Sequence, residues 1–555
     1  MERLDLLVII IYFFGITFYG LWISRKTRSS DTYFRGDRKF KWWIMMGQAF
    51  GTGTHAEMPV AQAGAAFQGG FSTIWYQWKN LLITPFYWLI GPWYRRSERT
   101  TIAEMVTDRY GKNAGLFYTL FAIAFFIFIM GSMLQGAAKV ISVASGGAIS
   151  PTGVVIGMTA AFMIYSFFGG LVAAAHTEFI QGLLIIVLSF MLIPNGFDRV
   201  GGFTGLRESL PTDFFSLFSE ESGMGTFTIL MLAVNGIVGI TAQPHMLSMF
   251  ATGNTERAGR IGQTYGTFVK RLITIGWVLT GMVVAVIVIR EGVDLNDPEH
   301  AFGFAARILL APGLTGLMIA CILAANMSSC SNFMVNLGAL FTRDIYRPYF
   351  GPEASDRQLL KVGRISSLIL TLSGVLFAVT IKNVLAAFLF AETIAAFMGI
   401  LIVGGFLWKR SNRYGAVSAV IIAFGIYYLL NYNNTGNLQL IYTWRPVPFG
   451  WAMLAGIVTL IFVSLITPEE PAGKLALFFG KMSRLAEADR KGLKLQSLSA
   501  GETGDDLLFL DLPGWFHAGR WKNFWRRYRE DLVGFILAWG FVACLILLTW
   551  SVLKL

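Results

Sequence analysis

The chain has 555 residues, of which 55% are hydrophobic and only 14% are charged, and its mean hydropathy is +0.57. This composition excludes a water-soluble globular protein and indicates a protein that crosses a membrane many times. A formal net charge of +12 is also found in nucleic-acid-binding proteins. The positions of the basic residues along the chain distinguish that function from a role in membrane topology.

About fourteen apolar segments are long enough to cross a bilayer. The first follows Glu2, Arg3 and Asp5 rather than a basic region, so we predict a retained span and not a cleaved signal peptide. The predicted spans are 4–24, 42–67, 72–93, 114–138, 152–172, 174–196, 226–250, 266–289, 313–340, 362–381, 384–407, 415–433, 448–467 and 532–553.

Most of the 45 Lys and Arg residues fall in alternate loops between these spans. By the positive-inside rule these loops lie in the cytoplasm, which puts both termini outside a plasma or inner membrane. The charge is then a topology signal rather than a nucleic-acid-binding surface. The loops are 25–41, 94–113, 251–271, 341–364, 408–414 and 468–531.

The longest of these loops ends in residues 515–528, which mix aromatic with basic side chains. Such a mixture can bind nucleic acid, but directly before a span it is more typical of a helix that lies at an anionic lipid interface. We therefore predict an interfacial helix and no nucleic-acid partner.

The second and seventh predicted spans are poor helices at their centres. GTGTHAEMP begins at Gly51 and NGIVGITAQPH begins at Asn235. Glycine costs a helix about 1 kcal/mol and proline about 3, so each span is expected to unwind there. Kinked but continuous helices are the alternative.

Two interrupted spans five helices apart are typical of an inverted repeat with its binding site at the midplane. The predicted fold is thus an all-α membrane protein with about fourteen helices around a five-plus-five inverted-repeat core. Residues 1–41 hold the first span and a basic loop, 42–197 the first repeat, 226–414 the second repeat, and 415–555 the peripheral spans with the loop 468–531.

The ninth span carries polar residues at membrane depth. On a helical wheel Ala325, Ser329, Asn332 and Asn336 fall within a narrow arc, with Ser328 at its edge. Polar groups in lipid need partners, so this stripe must face protein, water or an ion. Close helix packing by small residues is the alternative explanation.

Several motifs resemble those of the sodium:solute symporter family. They are LAANMSSCS followed by LFTRDIY in the ninth span, SSDTYFRGDRKFKWW at 29–43, FFGGLVAAAHTEFIQG at 167–182 and GGFLWKRSNRYGA at 404–416. The resemblance covers essentially the whole chain. It implies the fold of amino acid/sodium symporters and sodium-coupled transport of a small polar organic solute that is sugar-, carboxylate- or amino-acid-like.

The resemblance also implies a sodium site between the second and ninth spans. The hydroxyls of Ser328 and Ser329 and the carbonyl of Ala325 would bind on one side, and the carbonyls of Gly51 and Thr54 on the other. Sodium prefers such oxygen ligands. No cofactor other than this coupling ion, and no catalytic residue, is expected.

Polar and ionisable residues inside spans are the candidates for solute binding, since charges there are costly and usually functional. Asn235 resembles a sugar-contacting position of the family. Lys79 falls near an acidic solute-contacting position, although it could instead snorkel to the headgroups. The full set is His55, Glu57, Lys79, Asn235, Gln243 and Glu392.

The sequence departs from the family pattern at several places. Val238 and Gly239 stand where sugar-stacking aromatics are usual, and Gly53 where Asn or Asp is usual. His176 and Glu178 replace an aromatic residue and Asp. These departures bear on the solute, sugar above all, and not on the fold.

Three other functions stay open from the sequence. A proton-coupled carrier of the same fold would titrate Glu57, Glu392 or His245. A membrane-embedded enzyme would hold a metal with His55, Glu57 and His245. A transporter-like sensor is disfavoured because no output domain follows the last span.

Overall fold

The computed structural model describes residues 2–25, 33–34, 40–486, 489, 507–510, 512–516, 521 and 524–554. Within these ranges the chain is helical, and β pairing is limited to the isolated bridges Phe40–Gly253 and Ser219–Met224. The predicted basic loop 25–41 and the predicted interfacial segment 515–528 lie partly outside the described residues.

Within the described residues, twenty α-helices of six residues or more form the framework. In chain order they are α1 (Arg3–Ser24), α2 (Trp42–Thr52), α3 (Glu57–Gly69), α4 (Trp75–Ser97), α5 (Ile102–Tyr110), α6 (Lys112–Ala144), α7 (Pro151–Phe190), α8 (Ile193–Val200), α9 (Gly202–Ser209), α10 (Thr226–Gly239), α11 (Met246–Ala251), α12 (Glu256–Glu291), α13 (Ala301–Leu309), α14 (Leu314–Leu340), α15 (Asp356–Ala378), α16 (Val384–Leu407), α17 (Arg413–Thr435), α18 (Pro446–Ile466), α19 (Ala472–Met482) and α20 (Phe524–Val552).

Nine helices within the described residues are long and apolar enough to cross a membrane, or ten if one bent pair counts as a span. The all-helical fold is as predicted, whereas the number fourteen stays a prediction. Two of the predicted spans are divided into shorter helices, α2 with α3 and α10 with α11.

The fifth and sixth predicted spans are joined in the single helix α7. Within the described residues of α7, the non-helical backbone is at Gly170, where φ is 57° and ψ is −147°. A Cβ at Gly170 would lie 2.5 Å from the Tyr33 ring and carbonyl, so this position requires glycine. The helix is also bent, since its segments Pro151–Ile164 and Ser166–Ala174 meet at 79°.

The predicted loop 251–271 is largely helical, which corrects the sequence analysis. Thr255 caps α12 by accepting a hydrogen bond from the amide of Ala258, and the helix then runs unbroken to Gly292, where φ is 64°. Lys270 and Arg271, which lie where the predicted loop overlaps the predicted span 266–289, are therefore buried within a membrane helix.

The predicted loops sort onto two opposite ends of the bundle. At one end, Arg96 pairs with Glu256 at 2.8 Å and Thr101 donates to Asp344 at 3.0 Å. These contacts join three of the loops predicted to be cytoplasmic. At the other end Lys139, from α6, contacts loop residues predicted to be outside. This distribution supports the prediction that successive loops alternate between the two sides of the membrane. Which end is cytoplasmic is predicted only from the positions of the Lys and Arg residues.

Candidate functional site

The first helix break lies between α2 and α3. Helix α2 ends at Thr52 and α3 begins at Glu57, as the glycine and proline residues predicted. The amide of Ala56 donates to Oδ1 of Asn326 at 2.9 Å, and Nδ2 of Asn326 donates to the carbonyl of Met133 at 2.6 Å. The side chain of Asn326, on α14, thus satisfies a backbone amide that the helix break leaves without a helical partner.

The second break lies between α10 and α11. After Gly239 the chain forms a short 3₁₀ turn and becomes extended at Gln243 before α11 begins. Two tyrosines satisfy carbonyls that the break releases: Tyr94 donates to Thr241 at 3.0 Å and Tyr118 donates to Ala242 at 2.7 Å. Both predicted breaks are confirmed, and the alternative of continuous kinked helices is wrong.

Three of the five predicted sodium ligands converge where α14 passes the first break. Oγ of Ser329 lies 3.4 Å from the carbonyl oxygen of Gly51 and 3.4 Å from that of Ala325. The hydroxyls of Ser328 and Thr54 are buried and have no hydrogen-bond partner among the described residues. Partly unsatisfied oxygens of this kind fit a sodium ion.

Asn332 and Asn336 of the polar stripe contact protein, one of the three environments predicted for it. Asn336 donates to Oδ1 of Asn332 at 2.7 Å and approaches Oγ of Ser248, on α11, at 3.4 Å. Outside the stripe, Ser331 and Ser166 share a hydrogen bond of 2.6 Å that connects α14 to α7. Polar side chains of α14 therefore connect it to both a broken and a bent helix.

A cavity of about 60 Å³ lies between the two breaks. A cavity of this size accepts a few water-sized groups, at roughly 10–15 Å³ each. Its lining is partly aromatic and partly charged, with residues from α2, α4, α6, α11, α12, α14 and α16. The polar and charged side chains in the lining are His55, Asn80, Tyr87, Gln243, His245, Thr267, Lys270, Arg271 and Glu392.

His55 and Glu57 form a buried pair at the first break. Nδ1 of His55 lies 2.6 Å from Oε1 of Glu57. The imidazole rings of His55 and His245 both pack on Phe333, with centroids 5.7 and 5.0 Å from its ring. His55 lines the cavity, whereas Glu57 is fully buried behind it.

Lys79 is buried completely and does not line the cavity. Its ammonium donates to Oδ1 of Asn235 at 3.1 Å and pairs with the carboxylate of Glu392. Glu392 and Gln243 do line the cavity. Thus three predicted solute residues, His55, Gln243 and Glu392, lie at the cavity wall, and the others lie behind it.

Lys270 and Arg271 line the cavity from α12, although neither was among the predicted solute residues. A Cβ placed on Gly53 would lie 4.0 Å from Cδ of Lys270, so the lysine stem runs past the first break. The sequence did carry a signal for one long helix here. The run from Glu256 to Glu291 contains no proline and follows a threonine, which favours a helix N-terminus.

The metal set that the enzyme hypothesis requires is not assembled in this arrangement. Across the described part of the chain no group of three or more His, Cys, Asp or Glu side chains is placed to hold a metal ion. His55 and Glu57 are in contact, but His245 meets aromatic rings instead of the carboxylate.

Curated relatives are symporters and transporters of small solutes. The osmoregulated proline transporter OpuE of Bacillus subtilis (strain 168) is 28% identical over 86% of this chain and 97% of its own length. The sodium/myo-inositol cotransporter 2 of Sus scrofa is 26% identical over 76% and 69%. The sodium/glucose cotransporter of Vibrio parahaemolyticus is 23% identical over 85% and 92%.

Solved structures with a similar fold are also sodium- or cation-coupled carriers. A sodium-coupled sialic acid symporter superposes with a TM-score of 0.70 at 18% identity, covering 84% of this chain and 99% of the other. Mhp1, of the nucleobase-cation-symport-1 family, gives 0.51 at 13% identity, covering 81% and 98%. The model of the sodium:solute symporter family matches residues 33–423. The chain belongs to the sodium:solute symporter family.

Proposed function

We propose that this sodium-coupled symporter carries a small solute with a carboxylate group, and that Arg271 and Lys270 bind that carboxylate. Sodium coupling and a small solute follow from membership of the family. The family includes carriers named for solutes with and without a carboxylate, so the choice between them has to come from the site itself.

The observation that carries this proposal is the incompletely bonded guanidinium of Arg271. Its side chain lines the cavity and the residue is 1% exposed, yet it forms no ion pair among the described residues: it hydrogen-bonds to Tyr87, and its Nε and Nη1 have no hydrogen-bond partner there. A buried cation without an ion-pair partner is costly, and its free N–H groups can donate charge-assisted hydrogen bonds to a carboxylate. A bound carboxylate would remove that cost.

Lys270 supports the same assignment from the adjacent position. It lines the cavity, is buried, and forms no ion pair with any residue that the structure describes. Two adjacent cations on one wall favour an anionic group over a neutral polyol. Proline has such a group and myo-inositol does not, so the proline transporters are relatives whose solute shares the proposed carboxylate.

Sodium would bind at Gly51, Thr54, Ala325, Ser328 and Ser329 in this proposal. Sodium at that point would tie α14 to the broken helix that carries His55, so each ligand would raise the affinity for the other. One sodium ion entering with the membrane potential supplies about 2.3 kcal/mol per 100 mV. The reaction is transport, and no covalent step is required.

The proposal extends to topology and parts of the chain. Both termini would lie outside the plasma or inner membrane. The first repeat would occupy 42–197 and the second 226–414, with 1–41 and 415–555 packed around them. The two helix breaks fall near the start of each proposed repeat.

Uptake into proteoliposomes tests the function. Radiolabelled short carboxylates should accumulate when sodium is outside and should fail to accumulate when choline or potassium replaces it. Neutral polyols should not compete. Uptake that follows a proton gradient without sodium would support the proton-coupled alternative instead, with Glu57, Glu392 or His245 as the titrating group.

A further inference from the structure

We propose that the buried ion pair between Lys79 and Glu392 makes the site select anionic carboxylates over zwitterionic amino acids. This inference rests on the proposed function, because it specifies which carboxylate-bearing solutes the site accepts. Glu392 is the only carboxylate that lines the cavity within the described residues, so its charge decides whether a solute ammonium can be bound there.

Lys79 neutralises Glu392 from the side away from the cavity. Glu392 extends from α16 into the cavity wall, while Lys79 reaches it from α4 and has no exposed surface. The amine is also bonded to Oδ1 of Asn235 at 3.1 Å and lies 5.8 Å from the centroid of the Phe388 ring. With a carboxylate, an amide oxygen and an aromatic face as partners, the amine is fixed in place.

A zwitterion would therefore meet an unfavourable set of charges. Its carboxylate could bind Arg271, but its ammonium would have to displace Lys79 from Glu392 in a space already lined by Lys270 and Arg271. The second carboxylate nearby, Glu57, lies behind the wall and bonds to His55. A simple carboxylate pairs with Lys270 and Arg271, which form no ion pair among the described residues, and leaves the Lys79–Glu392 pair intact.

Opposite changes at the two residues should move selectivity in opposite directions. Lys79→Met removes the amine and leaves Glu392 able to bind a solute ammonium. Glu392→Gln removes the cavity's carboxylate and leaves Lys79 as an additional cation. The first variant should favour amino acids and the second should disfavour them further.

The test is binding of matched probes to the purified full-length protein at neutral pH in saturating sodium. The probes are acetate, propionate, butyrate and cyclopentanecarboxylate, each paired with its amino counterpart: glycine, alanine, 2-aminobutyrate and proline. Wild type should bind at least one simple carboxylate ten times or more tighter than its counterpart. In Lys79→Met, the ratio of the amino acid's dissociation constant to that of the simple carboxylate should be at least tenfold smaller than in wild type.

A matched control is Lys139→Met, which removes another lysine held by carboxylates, Asp297 and Glu299, away from the cavity. It should leave the ratio unchanged. Wild type binding amino acids as tightly as simple carboxylates would overturn the inference, as would an unchanged ratio in Lys79→Met. If Lys79→Met does not fold, Glu392→Gln provides the test. The inference is then overturned if the preference for the simple carboxylate over its amino counterpart does not increase in Glu392→Gln. Wild type binding none of the probes would instead contradict the proposed function.

Discussion

Oγ of Ser329 lies 3.4 Å from the carbonyl oxygen of Gly51, although 278 residues separate them in sequence. The contact joins a continuous helix, α14, to the end of a broken one, α2. Any ion held between these oxygens would fix the distance between the two helices. This relationship would connect the proposed sodium site to the cavity, which His55 lines four residues beyond Gly51.

Removing one hydroxyl from the sodium site should weaken activation by sodium. We expect Ser329→Ala to raise the sodium concentration for half-maximal uptake about tenfold or more, because one oxygen ligand is lost, while the helix is retained since alanine favours it. Sodium titration of uptake in proteoliposomes measures this.

Ser132→Ala is the matched control for that titration. Ser132 is also buried, but its hydroxyl donates to the carbonyl of Ile129 on its own helix at 2.8 Å. Its sodium dependence should equal that of wild type. Unaltered sodium dependence in both Ser328→Ala and Ser329→Ala would refute the site.

Carboxylate binding should depend on the shape of the Arg271 guanidinium as well as on its charge. Arg271→Lys keeps the charge but loses the planar array of N–H donors, so we expect tenfold to hundredfold weaker carboxylate binding, equivalent to about 1.5–3 kcal/mol. Isothermal titration in saturating sodium measures the change. Arg257→Gln, which alters an exposed arginine on the same helix, serves as the control. Equal carboxylate affinity in Arg271→Lys and wild type would exclude Arg271 from the site.

The cluster of Lys139, Asp297 and Glu299 should make stability depend on pH. Burial alone would raise the pKa of Asp297, but its hydrogen bond to Lys139 and the charge of that lysine hold the pKa below its usual range. A pKa lowered by folding gives stability that is present above the unfolded value, about 3.9, and is lost as pH falls through the folded value.

The melting temperature of wild type should therefore fall as pH drops below about 4, and Asp297→Asn should remove part of that fall. Comparing the two proteins between neutral and acidic pH isolates this one carboxylate from the others. Parallel curves for wild type and Asp297→Asn would show that the contact contributes nothing.

Single-cysteine labelling should settle the orientation. In a background without Cys544, the exposed position Asn437 should react with a membrane-impermeant reagent only from outside the cell, and the exposed position Glu353 only from inside. Cys321 and Cys330 are buried and should stay unlabelled. The reverse pattern would place both termini inside.

Local chemistry was enough to predict the helix breaks and the polar stripe. Glycine and proline at the centre of a span break the helix there. Polar groups at that depth in the membrane must find hydrogen-bonding or ionic partners. The breaks and the stripe depend on residues near each other in sequence or on one helix. The meeting of Ser329 with the first break joins distant residues, and it was expected only from the family resemblance.

The composition of the cavity could not be predicted in the same way. Lys270 and Arg271 fall where the predicted loop 251–271 overlaps the predicted span 266–289, so the sequence did not show whether they are exposed. In the structure a capped helix without proline continues through these charges. The pairing of Lys79 with Glu392 joins residues 313 positions apart. No sequence pattern within either helix indicates that contact.

The most direct test is the affinity of the purified protein for a short carboxylate, measured with sodium and again with choline in its place. If one ion and one carboxylate share the two broken helices, sodium should raise the carboxylate affinity by a factor of about 5 to 150, and the carboxylate should raise the sodium affinity by the same factor. Equal carboxylate affinities in sodium and choline would contradict the account.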